Sequence, residues 1–208
     1  MKTSILAISQ RQDSRPAWHV VRHAAFLLFV LLLCGCSRPP LHGADLSAAG
    51  RGASFYLKDT EGVPRPLQSF RGKALVLFFG FTRCPDICPT TLVRATQIKR
   101  QLGEDARHVQ FAFVTLDPQR DTPNVLRTYV QAFDPDFIGL TGSEGEIRIA
   151  TTQLNVAYAK VPIGNTYTID HSTRSYVFDA AGHLRVGLAH KQSVEACVED
   201  IRQVLAYD

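Results

Sequence analysis

Two cysteines four positions apart, Cys84 and Cys88, are the residues of this chain whose type and spacing most directly suggest chemistry. They follow a nearly unbroken apolar run over residues 74–81 and precede a predicted helix. Both thiols are therefore expected to be half exposed and close to a helix N-terminus, where the thiolate form is favoured. A thiolate is a nucleophile and also a soft metal ligand. The pair predicts either redox chemistry or metal binding.

A disulfide with a purely structural role is the simplest alternative for this pair. A bridge between residues so close in sequence closes a very small loop, and such a loop removes little entropy from the unfolded chain. Only one further cysteine, Cys197, follows the pair, which is too few for a disulfide scaffold. Cys197 lies on the apolar stripe of the last predicted helix, and we expect it to be buried. A chemical role for the pair is therefore the preferred interpretation.

A histidine far downstream bears on the choice between redox chemistry and metal binding. Thioredoxin-type reductants resemble one another in having two residues between their thiols and a cis-proline before the last hairpin. Here three residues separate the thiols, and the chain has no proline after Pro162. Just before the predicted last hairpin stands His171. If its loop faces the cysteines, Cys84, Cys88 and His171 form a three-ligand site of the kind that binds copper or zinc.

The elements that must position these residues follow the order of a thioredoxin-like α/β domain. Apolar runs predict buried strands over residues 74–81 and 109–116, and the cysteines follow the first strand at the end where α/β sheets present their sites. The fold carries an N-terminal β-hairpin extension and an insertion before the last β-hairpin. The other predicted elements are the opening hairpin over 55–70, helices over 90–102, from 122, over 144–158 and from 193, a strand over 137–140, and the last hairpin over 175–188.

The first 35 residues are predicted to be a signal peptide of the lipoprotein type. Their apolar run of about ten residues is too short to span a bilayer, which needs roughly 20. The run ends at residues 33–36, which resemble a bacterial lipobox, so Cys36 is expected to carry lipid. Residues 36–52 are then a flexible tether and residues 53–208 the domain. A lipid-anchored domain on the periplasmic or extracytoplasmic side of the cell membrane is the expected arrangement.

The distribution of charge argues against one class of partner. Four of the 23 Lys and Arg and one of the 19 Asp and Glu lie in residues 1–35, which leaves 19 and 18 in the rest, a formal charge of +1. The basic character of the chain therefore belongs largely to the export signal. No run of basic residues occurs later in the sequence. We expect no nucleic-acid partner.

Several motifs of the domain resemble the SCO/SenC family, in the same order and over roughly residues 50–207. The Cys-Pro-x-x-Cys-Pro element together with Asp-Pro-x-Arg-Asp-Thr-Pro is highly specific to that family. The resemblance implies a membrane-tethered, copper-binding protein that helps to assemble the binuclear copper centre of cytochrome c oxidase subunit II. It also implies that Cys84, Cys88 and His171 bind copper, as Cu(I) or Cu(II). The stretches that carry the resemblance are residues 70–73, 80–90, 117–123 and 170–172.

Two carboxylates are candidates for the surroundings of His171. An acid beside an imidazole ligand can fix its tautomer or repel wrong partners, and Asp117 and Asp170 are the acids expected close to this loop. The alternative is that Asp117 is a turn residue before Pro118 and Asp170 a loop or cap residue.

The sequence leaves a second function open, that of a thiol–disulfide oxidoreductase that keeps the copper-site cysteines of the partner reduced. Both functions need accessible thiols of low pKa. A peroxidase is disfavoured because Cys84 lacks the Pro-x-x-x-Thr-x-x-Cys context. Copper transfer is not turnover, so an enzyme is not expected. Besides subunit II, the possible partners are other periplasmic copper chaperones and thioredoxin-like reductants.

Overall fold

The structure is a computed structural model, and it describes residues 39–48 and 54–207. The described residues form ten strands and four α-helices. The strands are β1 (Ala44–Asp45), β2 (Tyr56–Asp59), β3 (Pro64–Pro66), β4 (Ala74–Gly80), β5 (Val109–Thr115), β6 (Ile138–Thr141), β7 (Tyr158–Ile163), β8 (Thr166–His171), β9 (Ser175–Phe178) and β10 (Leu184–Leu188). The helices are α1 (Ile87–Leu102), α2 (Pro123–Gln131), α3 (Glu144–Gln153) and α4 (Val194–Leu205).

The central strand β4 is buried along its whole length. It pairs in parallel with β5 and antiparallel with β9, within a mixed sheet of order β1-β10-β9-β4-β5-β6-β2-β3. Successive side chains of a strand point to opposite faces, and both faces of β4 are apolar, so it needs a cover on each side. Val76 and Phe78 pack on one face with α1, α2 and α4, while Leu75 and Leu77 pack on the other with α3 and Ile169 of β8. The fold is thioredoxin-like, as predicted.

The two additions to the thioredoxin-like core are also present. Strands β2 and β3 form the predicted N-terminal hairpin, which extends the sheet beyond β6. The second strand was expected over residues 66–70, but it lies earlier, at Pro64–Pro66, because Leu67–Phe70 form a 3-10 helix that buries Leu67 and Phe70. The insertion before the last hairpin contains a second, two-stranded sheet of β7 and β8.

Two helix boundaries differ from the prediction. The helix expected over residues 144–158 ends at Gln153, and Asn155 then adopts a left-handed conformation with φ of 52°. Tyr158 therefore begins β7 instead of ending a helix. Helix α1 begins at Ile87, three residues before the expected start, so the second cysteine lies inside the helix.

Part of the stretch predicted as a tether packs against the sheet. Strand β1 pairs antiparallel with β10, with Ala44 opposite Gly187. The carboxylate of Asp200 accepts hydrogen bonds from the main-chain N–H groups of His42 and Gly43, both at 2.8 Å. The described residues from Leu41 onward form one compact unit, to which residues 41–48 belong.

The predicted signal peptide and Cys36 lie outside the described residues. Within the described ranges, the longest helices are too short or too polar to cross a bilayer.

Candidate metal centre

The two cysteines lie where the chain leaves the central strand. Residues 81–86 form a loop after β4, in which the N–H of Cys84 donates to the carbonyl oxygen of Phe81 at 3.2 Å. Cys84 is partly exposed, as predicted. Cys88 is only 1% exposed, so the expectation of half exposure was wrong for this thiol. The reason is the early start of α1, which places Cys88 in the first helical turn, facing the core.

Gly80 makes room for the buried thiol. A Cβ atom at this position would lie 2.5 Å from the Sγ of Cys88. Non-bonded heavy atoms usually approach no closer than about 3.5 Å. The absence of a side chain at the end of β4 therefore allows Cys88 to approach the strand.

The hairpin of β7 and β8 carries the third residue of the site. His171 is the last residue of β8, and its Nδ1 lies 2.8 Å from the carbonyl oxygen of Ser172. A carbonyl oxygen can only accept, so Nδ1 donates the proton and the lone pair of the ring is on Nε2. Nε2 lies 3.8 Å from the Sγ of Cys88. The loop of His171 therefore faces the cysteines, as the topology predicted from the sequence implied.

The ligand atoms of Cys84, Cys88 and His171 all lie within 4.8 Å of one another. An ion bound about 2.0–2.3 Å from sulfur and nitrogen ligands holds those ligands roughly 3.5–4 Å apart. The observed separations need only a small closure to reach this range. Two sulfurs and one imidazole nitrogen also form a donor set suited to a soft ion such as Cu(I) or to zinc. In the described part of the chain, these three residues are the cluster that could hold a metal ion.

The two thiols have opposite shifts in pKa. Hydrogen bonding from the Cys88 thiol, together with the main-chain N–H groups of Cys88 and Asp86, lowers the pKa of Cys84 to about 5. The N–H of Cys88 lies 3.4 Å from the Sγ of Cys84 and belongs to the first turn of α1, where helix N–H groups have no partner within the helix. The pKa of Cys88 is raised, because its thiol donates to the Cys84 sulfur and because burial disfavours its thiolate. Near neutral pH the pair therefore holds one partly exposed thiolate, on Cys84, and one buried thiol, on Cys88.

Neither predicted carboxylate hydrogen-bonds to His171, whose Nδ1 is held by the main chain instead. Asp117 is fully buried and accepts hydrogen bonds from the Tyr167 hydroxyl, at 2.8 Å, and from Nε of Arg120. The prediction that Asp117 fixes the tautomer of His171 was therefore wrong. The carboxylate instead holds β8 against the end of β5. Asp170 is exposed, next to His171 on the rim of the site.

Arg120 joins the hairpin to the rest of the domain. Its guanidinium stacks over the ring of Tyr167, at 3.7 Å from the ring centre, and its Nη1 donates to the Tyr167 carbonyl oxygen at 2.8 Å. With the ion pair to Asp117, this arrangement fixes β8 near its start. At its end, the N–H of Ser172 donates to the carbonyl oxygen of Ala157 at 2.9 Å. The position of His171 therefore depends on contacts outside the central sheet.

A cavity of about 290 Å³ opens beside the cluster. Cys84 and Ile87 line one side and Ile169 and His171 the other. Because Cys88 is buried, an incoming group reaches the cluster from the side of Cys84 and His171. The cavity is therefore the access route to the candidate ligands.

Asp121 has a role that the sequence did not single out. The side chain is fully buried and accepts hydrogen bonds from Thr82 and Thr115. Its position directly before the Thr122 cap of α2 concealed this role, because an acid in that place is typical of a helix start.

A thioredoxin-like domain with a Cys₂His cluster at the carboxyl end of its central strand belongs to the metal-binding rather than the Cys-x-x-Cys class of that fold. Residues 44–206 match the SCO1/SenC family, and the chain belongs to this family.

Relatives and solved structures agree with this assignment. An SCO2-like protein of Rickettsia prowazekii is 37% identical over 178 residues, which are 81% of this chain and 87% of the relative. The copper-bound structure of Bradyrhizobium japonicum ScoI is similar with a TM-score of 0.68 and 36% identity, covering 74% of this chain and 99% of that one. Copper-bound yeast Sco1 is similar with a TM-score of 0.66 and 30% identity, covering 79% and 88% of the two chains.

Proposed function

We propose that this protein binds copper through Cys84, Cys88 and His171, and that it delivers copper to, or helps to assemble, the binuclear copper centre of cytochrome c oxidase subunit II. The observation that carries the proposal is the approach of all three ligand atoms to within 4.8 Å of one another. The similarity to ScoI and Sco1 structures with copper bound supports copper as the ion.

The donor set suits an ion that changes oxidation state. Two thiolates satisfy Cu(I), and the imidazole adds affinity for Cu(II). Ligands must lose their protons to bind a metal, and Cys84 has already done so near neutral pH because its pKa is about 5. Oxidation of Cys84 and Cys88 to a disulfide would remove both sulfur ligands. Binding of the copper cargo would therefore depend on the redox state of the pair.

Release of the copper requires that a partner replace these ligands. Cys88 is buried, whereas Cys84 and His171 border the open cavity, so a partner's cysteine would first displace one of these two. Asp170, exposed beside His171, and Asp86, exposed beside the cysteines, are the carboxylates of the cavity that such a partner would meet. Subunit II, other periplasmic copper chaperones and thioredoxin-like reductants are the proposed partners. A lipid on Cys36 would hold the protein at the extracytoplasmic side of the membrane.

Metal analysis of residues 39–208 tests copper binding. We expect one copper per molecule after reconstitution with Cu(II), and a large loss of Cu(II) in Cys84→Ser, Cys88→Ser and His171→Ala. His108→Ala is the matched control, because His108 is exposed and precedes β5, at the opposite end of the sheet. Full copper content in the His171 variant would contradict the proposed site.

A thiol–disulfide oxidoreductase is the second candidate function. The observation that favours it is the pairing of a partly exposed thiol of low pKa, Cys84, with a buried thiol, Cys88, as in an attacking and a resolving cysteine. The variant His171→Ala separates the two functions. It should lose copper while the Cys84–Cys88 couple keeps its reduction potential, so a reductase would remain active in it.

A further inference from the structure

Asp121 is a buried carboxylate without a cationic partner among the described residues. It is 0% exposed, and its two oxygens accept three hydrogen bonds. Oδ1 accepts from the Thr82 hydroxyl at 2.6 Å, and Oδ2 accepts from the Thr82 N–H at 3.0 Å and from the Thr115 hydroxyl at 2.6 Å. Burial of a charged group is unfavourable unless such bonds compensate it. The side chain therefore depends on these two threonines for its stability inside the domain.

These bonds join the loop of the cysteines to the neighbouring strand. Thr82 lies two residues before Cys84, and Thr115 is the last residue of β5, directly beside Gly80 of β4. Asp121 thus fixes the chain at the point where it leaves the central strand. Between Thr82 and α1, the loop has two main-chain hydrogen bonds: the local turn from Cys84 to Phe81, and the bond from the N–H of Thr90 in α1 to the carbonyl oxygen of Asp86.

The two sulfurs are held by different means. Cys88 belongs to α1, whose buried residues pack in the core, so its position is fixed by the helix. Cys84 lies in the loop: its sulfur accepts a hydrogen bond from the N–H of Cys88, whereas its main chain is held on the other side through Thr82. Loss of the Asp121 anchor would therefore move the Sγ of Cys84 relative to Cys88 and His171.

Because of this arrangement, we infer that Asp121 is a positioning residue of the metal centre, which holds Thr82 so that Cys84 stays within reach of the other two ligands. The inference rests on the proposed function where it is tested by copper binding. Asp121 touches none of the three ligand side chains in the hydrogen bonds of the structure, so it acts through Thr82.

The variant Asp121→Asn tests the inference against Asp200→Asn as a matched control. Asp200 is also 0% exposed and also accepts three hydrogen bonds, from the N–H groups of His42 and Gly43 and from the Gln192 amide, but it holds the N-terminal segment. Both variants should lose thermal stability. In competition with a chelator, only Asp121→Asn should weaken copper binding, by about 10–100-fold, the usual effect of removing a group that orients a ligand. Its thiolate-to-Cu(II) absorption band should also change.

Two outcomes would overturn the inference. One is wild-type copper affinity and absorption in Asp121→Asn despite a lower melting temperature, which would make the residue purely structural. The other is an equal loss of copper affinity in Asp200→Asn. If Asp121→Asn does not fold, Thr82→Val removes one of the three bonds, and it should change the same properties in the same direction but less.

A measurement without metal separates this inference from the proposed function. If the wild-type protein bound no copper, the proposed function would fail, but the position of Cys84 could still be tested by equilibration of the Cys84–Cys88 pair with glutathione. We expect Asp121→Asn to favour the dithiol about tenfold, because a loosened loop holds the two sulfurs near each other less often. No change in this equilibrium would contradict the role of Asp121 whether or not copper binds.

Discussion

The contact between Gly80 and Cys88 provides a direct test of how the site is built. In Gly80→Ala, the new Cβ would lie 2.5 Å from the Sγ of Cys88 and 3.1 Å from two atoms of the Phe113 ring. Non-bonded atoms of this size need about 3.5–4 Å, so the sulfur must retreat by roughly 1 Å or the strand must shift. Gly80 does not have a positive φ, so alanine suits the backbone itself and the effect is steric.

Two effects of this substitution can be estimated. Overpacking a core usually lowers the free energy of unfolding by about 1–3 kcal/mol. A functional site must hold its groups within about 0.5 Å of the productive geometry, and the expected retreat of the sulfur exceeds this. Since Cys88 Sγ now lies 3.8 Å from His171 Nε2, we expect the copper affinity of Gly80→Ala to fall at least about tenfold.

The variant Gly139→Ala separates the two effects. Its Cβ would lie 2.6 Å from Cγ of Leu126, so it overpacks the domain to a similar degree, but in β6 and against α2. Denaturant unfolding should show comparable destabilisation of both variants, whereas chelator competition should show weaker copper binding only for Gly80→Ala. Unchanged copper affinity in Gly80→Ala, or an equal loss in Gly139→Ala, would refute the steric argument.

Three further predictions concern the reactivity of Cys84, the hairpin of β7 and β8, and the buried Cys197. In the reduced, metal-free protein, the rate at which iodoacetamide alkylates Cys84 should rise with pH and reach half its maximum near pH 5, because the thiolate is the form that reacts. A midpoint near pH 9 would contradict the lowered pKa. Tyr167→Phe removes a hydrogen bond to Asp117 and should lower the free energy of unfolding by about 1 kcal/mol in denaturant unfolding. The affinity for Cu(II) should fall more than the affinity for Cu(I). An equal fall in the two affinities would argue against a specific role of the hairpin. Cys197→Ser places a hydroxyl at a fully buried position and should lower stability by about 1–3 kcal/mol while the copper content stays that of the wild type.

The sequence predicted those parts of the fold whose residue pattern is unambiguous. The apolar runs that became β4 and β5 have both faces covered, so their sequence contains little alternation and indicates burial directly. Since the cysteines follow β4, their place at the edge of the sheet followed from the strand. The approach of His171 followed from topology, because its loop had to return to the edge of the sheet before the last hairpin.

The hairpin that carries His171 was not predicted, although its turn gives a signal. Strand β7 lies on the surface and none of its residues is buried, so it lacks the apolar periodicity of a core strand. Tyr158 was therefore assigned to the preceding helix. Gly164, with φ of 56°, and Asn165 form the two-residue turn between β7 and β8, a pair typical of tight hairpins. The pair Gly164-Asn165 therefore predicts a hairpin, and with it a strand on each side of the turn.

The structure also supports the three ligands unequally, which sequence could not reveal. The sulfur of Cys88 is fixed by a core helix and that of Cys84 by a loop anchored through Asp121, whereas His171 ends a hairpin outside the central sheet. That hairpin is held by the contacts of Tyr167 with Asp117 and Arg120. On the proposed function, two sulfurs satisfy Cu(I) and the imidazole is needed mainly for Cu(II). The packing of one surface hairpin would then set the preference of the site between the two oxidation states, while the core sets whether copper binds at all.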